Sequence, residues 1–279
     1  MENFDVVIRS DAGDFKSNMK EVYKYRDLVR SFINRNFASL YKQTILGPAW
    51  IVLSPLISSV IFTFVFGGLA GMSTDNVPQF LFYLAGNSMW LYFSSAFTGI
   101  ANIFSANAYL YGKVYFPRLV LPLSQIGTSL INFLVQLGIL ILFYVCYIAT
   151  GIDNFFSLSF LLLPVILLQL GLLALGTGMI IASLTTKYRD LALVIVYGVQ
   201  LWMYISPIVY PVSSLSGLTY LLVLINPVTI PFELFRIGLY GEGTFVAWSY
   251  GVSWLLTIIF LAIGLKLFSK TERVFMDTI

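Results

Sequence analysis

The chain has no histidine, one cysteine among 279 residues, and only 10% charged residues. Without histidine it lacks the side chain most used to move protons near neutral pH and to ligate transition metals, and no Ser/His or Cys/His nucleophile pair can be assembled. The lone Cys146 excludes an intramolecular disulfide and a cysteine-based metal site, and inside an apolar run it reads as a small apolar side chain. A phosphate loop is missing too. The only Gly-Lys pair is Gly112-Lys113, and Asn107 stands where G-x-x-x-x-G-K requires its first glycine. Asp75, Asp153, Asp190, Glu233 and Glu242 are scattered rather than paired at one aqueous face, which argues against a membrane-embedded transferase or hydrolase. The apolar stretches hold essentially no Asp, Glu, Lys or Arg, whereas ion-driven carriers need such groups near the bilayer midplane. These gaps disfavour an enzyme and a secondary transporter.

What the chain has is apolar length. Hydrophobic residues make up 58%, and six apolar stretches run at about 45–68, 79–105, 119–149, 158–184, 191–211 and 245–268, each near or above the roughly 18–20 residues of a bilayer-spanning helix. The spacing predicts an all-α integral membrane protein with six transmembrane helices. Basic residues fix its orientation: Arg9, Lys16, Lys20, Lys24, Arg26, Arg30, Arg35 and Lys42 precede the first stretch. Lys113 and Arg118 follow the second, Lys187 and Arg189 the fourth, and Lys266, Lys270 and Arg273 close the chain. The intervening connections hold only Arg236. Lys and Arg in short loops bias those loops to the cytoplasm, so both termini are expected inside. The same rule accounts for the net charge of +3 without a nucleic-acid partner. The expected organisation is a cytoplasmic segment 1–44, a membrane domain 45–268 and a cytoplasmic tail 269–279, with no cleavable signal peptide evident.

Local patterns refine this plan. Residues about 19–41 place Val22, Tyr25, Val29, Phe32, Ile33, Phe37 and Leu40 near helical spacing among basic residues, as in an amphipathic helix lying in the membrane interface. Such a helix can rest on headgroups or carry force from a cytoplasmic partner. Pro55 in the first stretch frees a helical carbonyl, so that span should face protein or a water-filled path. Ala174, Gly178 and Ala182 form a small-residue stripe suited to close helix packing. Between the fifth and sixth stretches, Leu218–Ile225 is apolar, Asn226-Pro227 breaks it, and Val228–Tyr240 resumes a helical pattern. A pair of short re-entrant helices within about 212–244 is expected there. Glu233 and Arg236, three apart, share a face as either a functional ion pair or a structural clip. Aromatics reach 16%. Many belong to interfacial belts, while Trp50, Phe62, Trp90, Trp202 and Tyr204 are candidates to line a path as flat faces for sugar rings.

Four segments in order carry a family likeness: YKQTILGPAWIVLSPLISSVIFTFVFG (41–67), YGKVYFPRLVLP (111–122), TKYRDLALVIVYGVQLWMYISPIVYP (186–211) and NPVTIPFELFRIGLYG (226–241). The chain resembles the permease subunits of type-2 ABC transporters that export bacterial surface polysaccharides: O-antigen, capsule and teichoic acid. The resemblance implies a homodimer in the bacterial inner membrane with two copies of a separate ATPase beneath it, so that ATP and Mg are bound by the partner and this chain carries no cofactor. The cargo it implies is a glycan on undecaprenyl pyrophosphate, most readily O-antigen. Teichoic-acid or capsule export is the alternative, as is a permease of the small-lipid or drug branch. It places the ATPase-coupling contact at Tyr111, Lys113, Phe116, Pro117 and Arg118, with a second at Lys187, Tyr188, Arg189 and Asp190, where Arg189 and Asp190 could instead cap the fifth helix. It makes Asn226, Pro227, Glu233 and Arg236 an external gate, and Arg35, Lys42 or Arg118 the cations that meet the pyrophosphate. On this reading Arg118→Glu would uncouple ATP hydrolysis from transport in a folded protein.

Overall fold

A computed structural model describes residues 23–42, 44–107, 116–149, 157–188 and 190–276, and every regular element among them is helical. In chain order these are α1 (Arg26–Tyr41), α2 (Ala49–Phe62), which runs on through a π-helical turn (Thr63–Leu69), α3 (Gln79–Ala101), the short α4 (Ile103–Ala106) and α5 (Val120–Ile148). A 3-10 turn (Leu158–Leu162) then leads into α6 (Leu163–Lys187), followed by α7 (Leu191–Ile205), α8 (Gly217–Ile225), α9 (Thr229–Tyr240) and α10 (Ala247–Met276).

Among the described residues four runs are long and apolar enough to cross a bilayer: Ala49–Leu69, Val120–Ile148, Leu158–Lys187 and Ala247–Thr271. The helices α8 and α9 meet that standard only as a pair, bent by 91°. The other two expected stretches are helical but differ from a plain apolar span. α3 has the length, yet Asn87, Ser88, Ser95 and Thr98 dilute its apolar character, because it is the central helix with most of its side chains buried against α2, α5 and α6. α7 stops at Ile205, since Ser206 precedes a proline and takes an extended conformation (φ −89°, ψ 147°).

Glycine sets the closest crossing. A Cβ on Gly176 of α6 would lie 2.5 Å from the Leu261 backbone nitrogen of α10, and one on Gly264 would lie 2.4 Å from the Gly176 carbonyl oxygen. Without a hydrophobic drive between helices in lipid, such backbone approach is what holds them. The small-residue stripe expected on this helix packs as well: Ala174 and Ala182 are buried, and Gly178 abuts Ile100 of α3.

Charge follows the fold's polarity. At one end Phe32 of α1 meets Phe116 (ring centroids 5.7 Å apart) and Phe104 stacks on Phe268 of α10 (4.9 Å). The basic ends of α6 and α10 share this end. At the other, Tyr240 donates to the Leu81 carbonyl (3.0 Å), the Ser157 N–H donates to the Gly238 carbonyl (3.0 Å), and Ser213 donates to the Asp75 carboxylate (2.6 Å).

Candidate functional site

Polar residues at helical spacing build a groove inside this apolar bundle. Ser95 and Thr98 lie along one face of α3, with Asn102 at its C-cap, and Gln125, Thr128, Asn132 and Gln136 along one face of α5. Hydroxyls and amides cannot face acyl chains cheaply, so the two stripes turn toward each other. Ser95 Oγ donates to Ser129 Oγ (2.9 Å), joining them. α1 docks across α5 because Gly127 leaves room for Ile33, whose Cδ1 lies 2.5 Å from where a Cβ would stand. Between α1, α3 and α5 lies a cavity of about 630 Å³, lined by Arg35, Asn36, Ser39, Thr98, Asn102, Gln125, Thr128 and neighbouring residues. A second of about 230 Å³ shares Ser95, Ser129 and Asn132 with it and continues to Trp50, Ser54, Tyr92 and Gln136.

The chemistry is asymmetric. Arg35 is the only charged residue lining either cavity among the described residues. Its Nη2 donates to Asn36 Oδ1 and Asn107 Oδ1, both at 3.2 Å, and its guanidinium lies 4.5 Å from the Phe32 ring centroid. Beyond it the walls offer hydroxyls and amides that both donate and accept, with no carboxylate. The groove suits a neutral polyhydroxylated solute with an anionic group at the Arg35 end. These side chains escaped the sequence reading, which looked for aromatics; the legible signal was the i, i+3/i+4 recurrence of Ser, Thr, Asn and Gln within apolar helices.

A second constellation lies at the opposite end. Asn226 Oδ1 accepts from the Trp202 indole N–H (3.0 Å) while its Nδ2 donates to Ser206 Oγ (3.1 Å), tying the end of α7 to the α8–α9 bend. The bend frees carbonyls that hydroxyls then satisfy: Thr229 donates to Val223 O (2.6 Å), and Ser249 and Ser253 of α10 to Leu224 O and Pro227 O. Glu233 and Arg236, 1% and 2% exposed, form an ion pair at 2.9 Å. Arg236 Nη2 also donates to the Ile208 carbonyl (3.0 Å), and its guanidinium sits 3.8 Å from the Phe82 ring centroid. Glu233 Oε2 accepts from the Thr244 N–H (2.8 Å). Of the two readings left open for this pair, the burial is that of a clip: neither group is free to touch a passing solute.

The remaining candidates separate cleanly. Tyr111, Lys113 and Arg189 lie outside the described residues. Phe116 and Arg118 are each 6% exposed, and Arg118 makes contacts within the chain. Arg118→Glu would place a carboxylate at this buried position at the foot of α5. Lys187, Tyr188 and Asp190 are exposed, with Lys187 Nζ 5.3 Å from the Tyr188 ring centroid. Asp190 occupies the N-cap position of α7 but makes no side-chain cap hydrogen bond. Lys42 is exposed and lines neither cavity. Of the five candidate aromatics, Trp50 borders the groove, which Tyr92 and Phe133 also line. Trp90 is buried against Phe93, Trp202 packs edge-on to Phe93 (5.0 Å), and Phe62 packs on Phe66 and Tyr83. Tyr204 is half-exposed on α7, away from both cavities.

The chain is similar to proteins named O-antigen export system permease protein RfbA. Two from Klebsiella pneumoniae are 27% and 29% identical over 252 and 256 residues, covering 90% of this chain and 94% of each relative. One from Myxococcus xanthus is 28% identical over 198 residues, 71% of this chain and 74% of the relative. Residues 27–240, from α1 through α9, match the family described as ABC-2 type transporter. A match over well more than half of the sequence, on an all-helical membrane fold, settles the family: this chain belongs to the ABC-2 type transporters.

Proposed function

We propose that this chain is the permease subunit of an ATP-driven O-antigen exporter, moving polysaccharide linked to undecaprenyl pyrophosphate across the bacterial inner membrane. The relatives' names supply the cargo class, and the observation that carries the reading to this chain is the groove: hydroxyl and amide walls with a single cation at the basic end of the fold. A lipid-linked glycan has that polarity, with an anionic pyrophosphate on one side of the linkage and neutral sugars on the other. Two copies of the chain form the conduit, each with six spans, the four long apolar runs together with α3 and α7, with the bent α8–α9 pair re-entrant from the outer side and both termini cytoplasmic. The ATPase is a separate subunit that binds ATP and Mg, and this chain holds no nucleotide of its own.

In this scheme the basic end faces the cytoplasm, where Arg35 meets the pyrophosphate and the sugars run along the Thr98–Thr128 walls. The ATPase pushes on the 108–118 connection and on the exposed Lys187-Tyr188 corner. Its motion passes through Phe116 and Phe32 to α1, packed as one apolar cluster with Phe104 and Phe268, and repacks α1 against α5 as a rigid body. The bent α8–α9 pair closes the outer end, with Glu233–Arg236 setting its angle.

Deletion of the chain's gene in an O-antigen-producing host is expected to abolish surface polymer and to accumulate lipid-linked glycan on the cytoplasmic side. Restoration should require this chain and its ATPase together. Surface polymer that persists in the deletion would overturn the reading, and loss of capsule or teichoic acid instead would reassign the cargo.

A further inference from the structure

The smaller cavity holds a buried acceptor that nothing among the described residues satisfies. Pro55 has no N–H, so the carbonyl of Ile51, one turn earlier on α2, loses its helical donor. Gln136 of α5 answers that carbonyl with Nε2, at 3.5 Å. The contact orients the amide and leaves Oε1, on a side chain only 7% exposed, without a partner at the cavity wall. A buried acceptor costs stability unless a donor comes to it.

The rest of the cavity restricts what that donor can belong to. Trp50, 43% exposed, contributes an indole to the wall, and Ser54, Ser129 and Asn132 add hydroxyl and amide groups. Among the described residues no charged side chain lines the cavity, so an ion would find no counter-charge, and an apolar group would leave Gln136 unpaired. Water alone could donate to Gln136 but would leave the indole face unused. A sugar ring meets both demands, with C–H groups against the indole and hydroxyls that donate to Oε1 and accept from Asn132. The volume of about 230 Å³ admits one ring rather than a folded oligosaccharide.

We propose that Trp50 and Gln136 form a subsite for a single neutral pyranose, stacked on the indole and hydrogen-bonded to Gln136 Oε1. The proposal takes its ligand class from the glycan-export reading, but assigns a holding point that reading does not contain. It makes this the position where a polymer is gripped one ring at a time, beyond the wider cavity at Arg35.

The test uses the permease with its ATPase in lipid nanodiscs, with intrinsic tryptophan fluorescence titrated by the methyl glycosides of galactose, mannose and rhamnose. A saturable change in the millimolar range is expected for at least one of them. Trp50→Leu should abolish it, and Gln136→Met should weaken apparent affinity by about tenfold. Should Gln136→Met fail to fold because Ile51 loses its donor, Trp50→Leu, at a half-exposed position, still decides the matter. No response to any of the three glycosides in folded complex, or a response that survives both substitutions, overturns the subsite. If the subsite fails while surface O-antigen still depends on this chain, the export reading stands; if surface O-antigen does not depend on it, that reading falls whatever Trp50 senses.

Discussion

Arg236→Leu is expected to lower the thermal midpoint of the purified protein by on the order of 10 °C, the equivalent of about 3–5 kcal/mol. The substitution strips Glu233 of its counter-charge at a site where that carboxylate is 1% exposed, and it removes the donor to the Ile208 carbonyl. Gly86 shows how tightly the guanidinium is seated, since a Cβ there would lie 3.0 Å from Arg236 Nη2 and 2.9 Å from Ile208 O. Removing both charges should cost less than removing one. The double substitution Glu233→Leu/Arg236→Leu leaves only the Thr244 N–H and the Ile208 carbonyl to find water. Arg236→Lys should fall between, because a single ammonium on a flexible stem cannot replace a planar guanidinium that spans a carboxylate and a carbonyl while stacking on Phe82. A melting curve for Arg236→Leu superimposed on that of the unaltered protein would remove the clip from the account.

Filling the groove should stop transport without unfolding the chain. Thr128 lines the larger cavity on α5, and its hydroxyl donates to the Ser124 carbonyl one turn back, within its own helix. Thr128→Phe is expected to cut the export rate by about tenfold or more, ~1.4 kcal/mol on the limiting barrier, by occupying space between α3 and α5. Thr128→Val, of nearly the same size and without the hydroxyl, should cost less. The readout is surface polymer per unit time against the cytoplasmic lipid-linked pool, with the melting midpoint as a check on folding. Equal export by Thr128→Phe and the unaltered chain would mean that the cargo does not pass between α1, α3 and α5.

How much of this was legible in the sequence varies with the kind of force involved. Apolar length placed helices at all six expected stretches, and the Asn226-Pro227 break fell within one residue of the observed gap between α8 and α9. Backbone chemistry explains that success: a residue before proline leaves the helical region whatever surrounds it. α3 was legible as a helix but not as the centre of the bundle, because hydropathy averages over the faces that burial distinguishes. The pairing of Glu233 with Arg236 follows from their spacing, but its burial depends on Ile208, Phe82 and Gly86, which come from distant parts of the chain. Aromatics misled most. Trp90 and Trp202 are large enough to win core positions, so size alone could not tell a wall from a filler. The stripes on α3 and α5 carried the better signal, since small polar groups in an apolar helix need a partner or water wherever they lie.

Whether the groove between α1, α3 and α5 receives the cargo is decided by site-specific photo-crosslinking in cells making lipid-linked glycan. A photoreactive residue replaces Thr128, which lines the larger cavity, or Leu134, which is 52% exposed on the outer face of the same helix. A glycan-bearing adduct is expected from position 128, accumulating when the partner ATPase is inactivated, and none from position 134. Glycan adducts at position 134 with none at position 128 would contradict it.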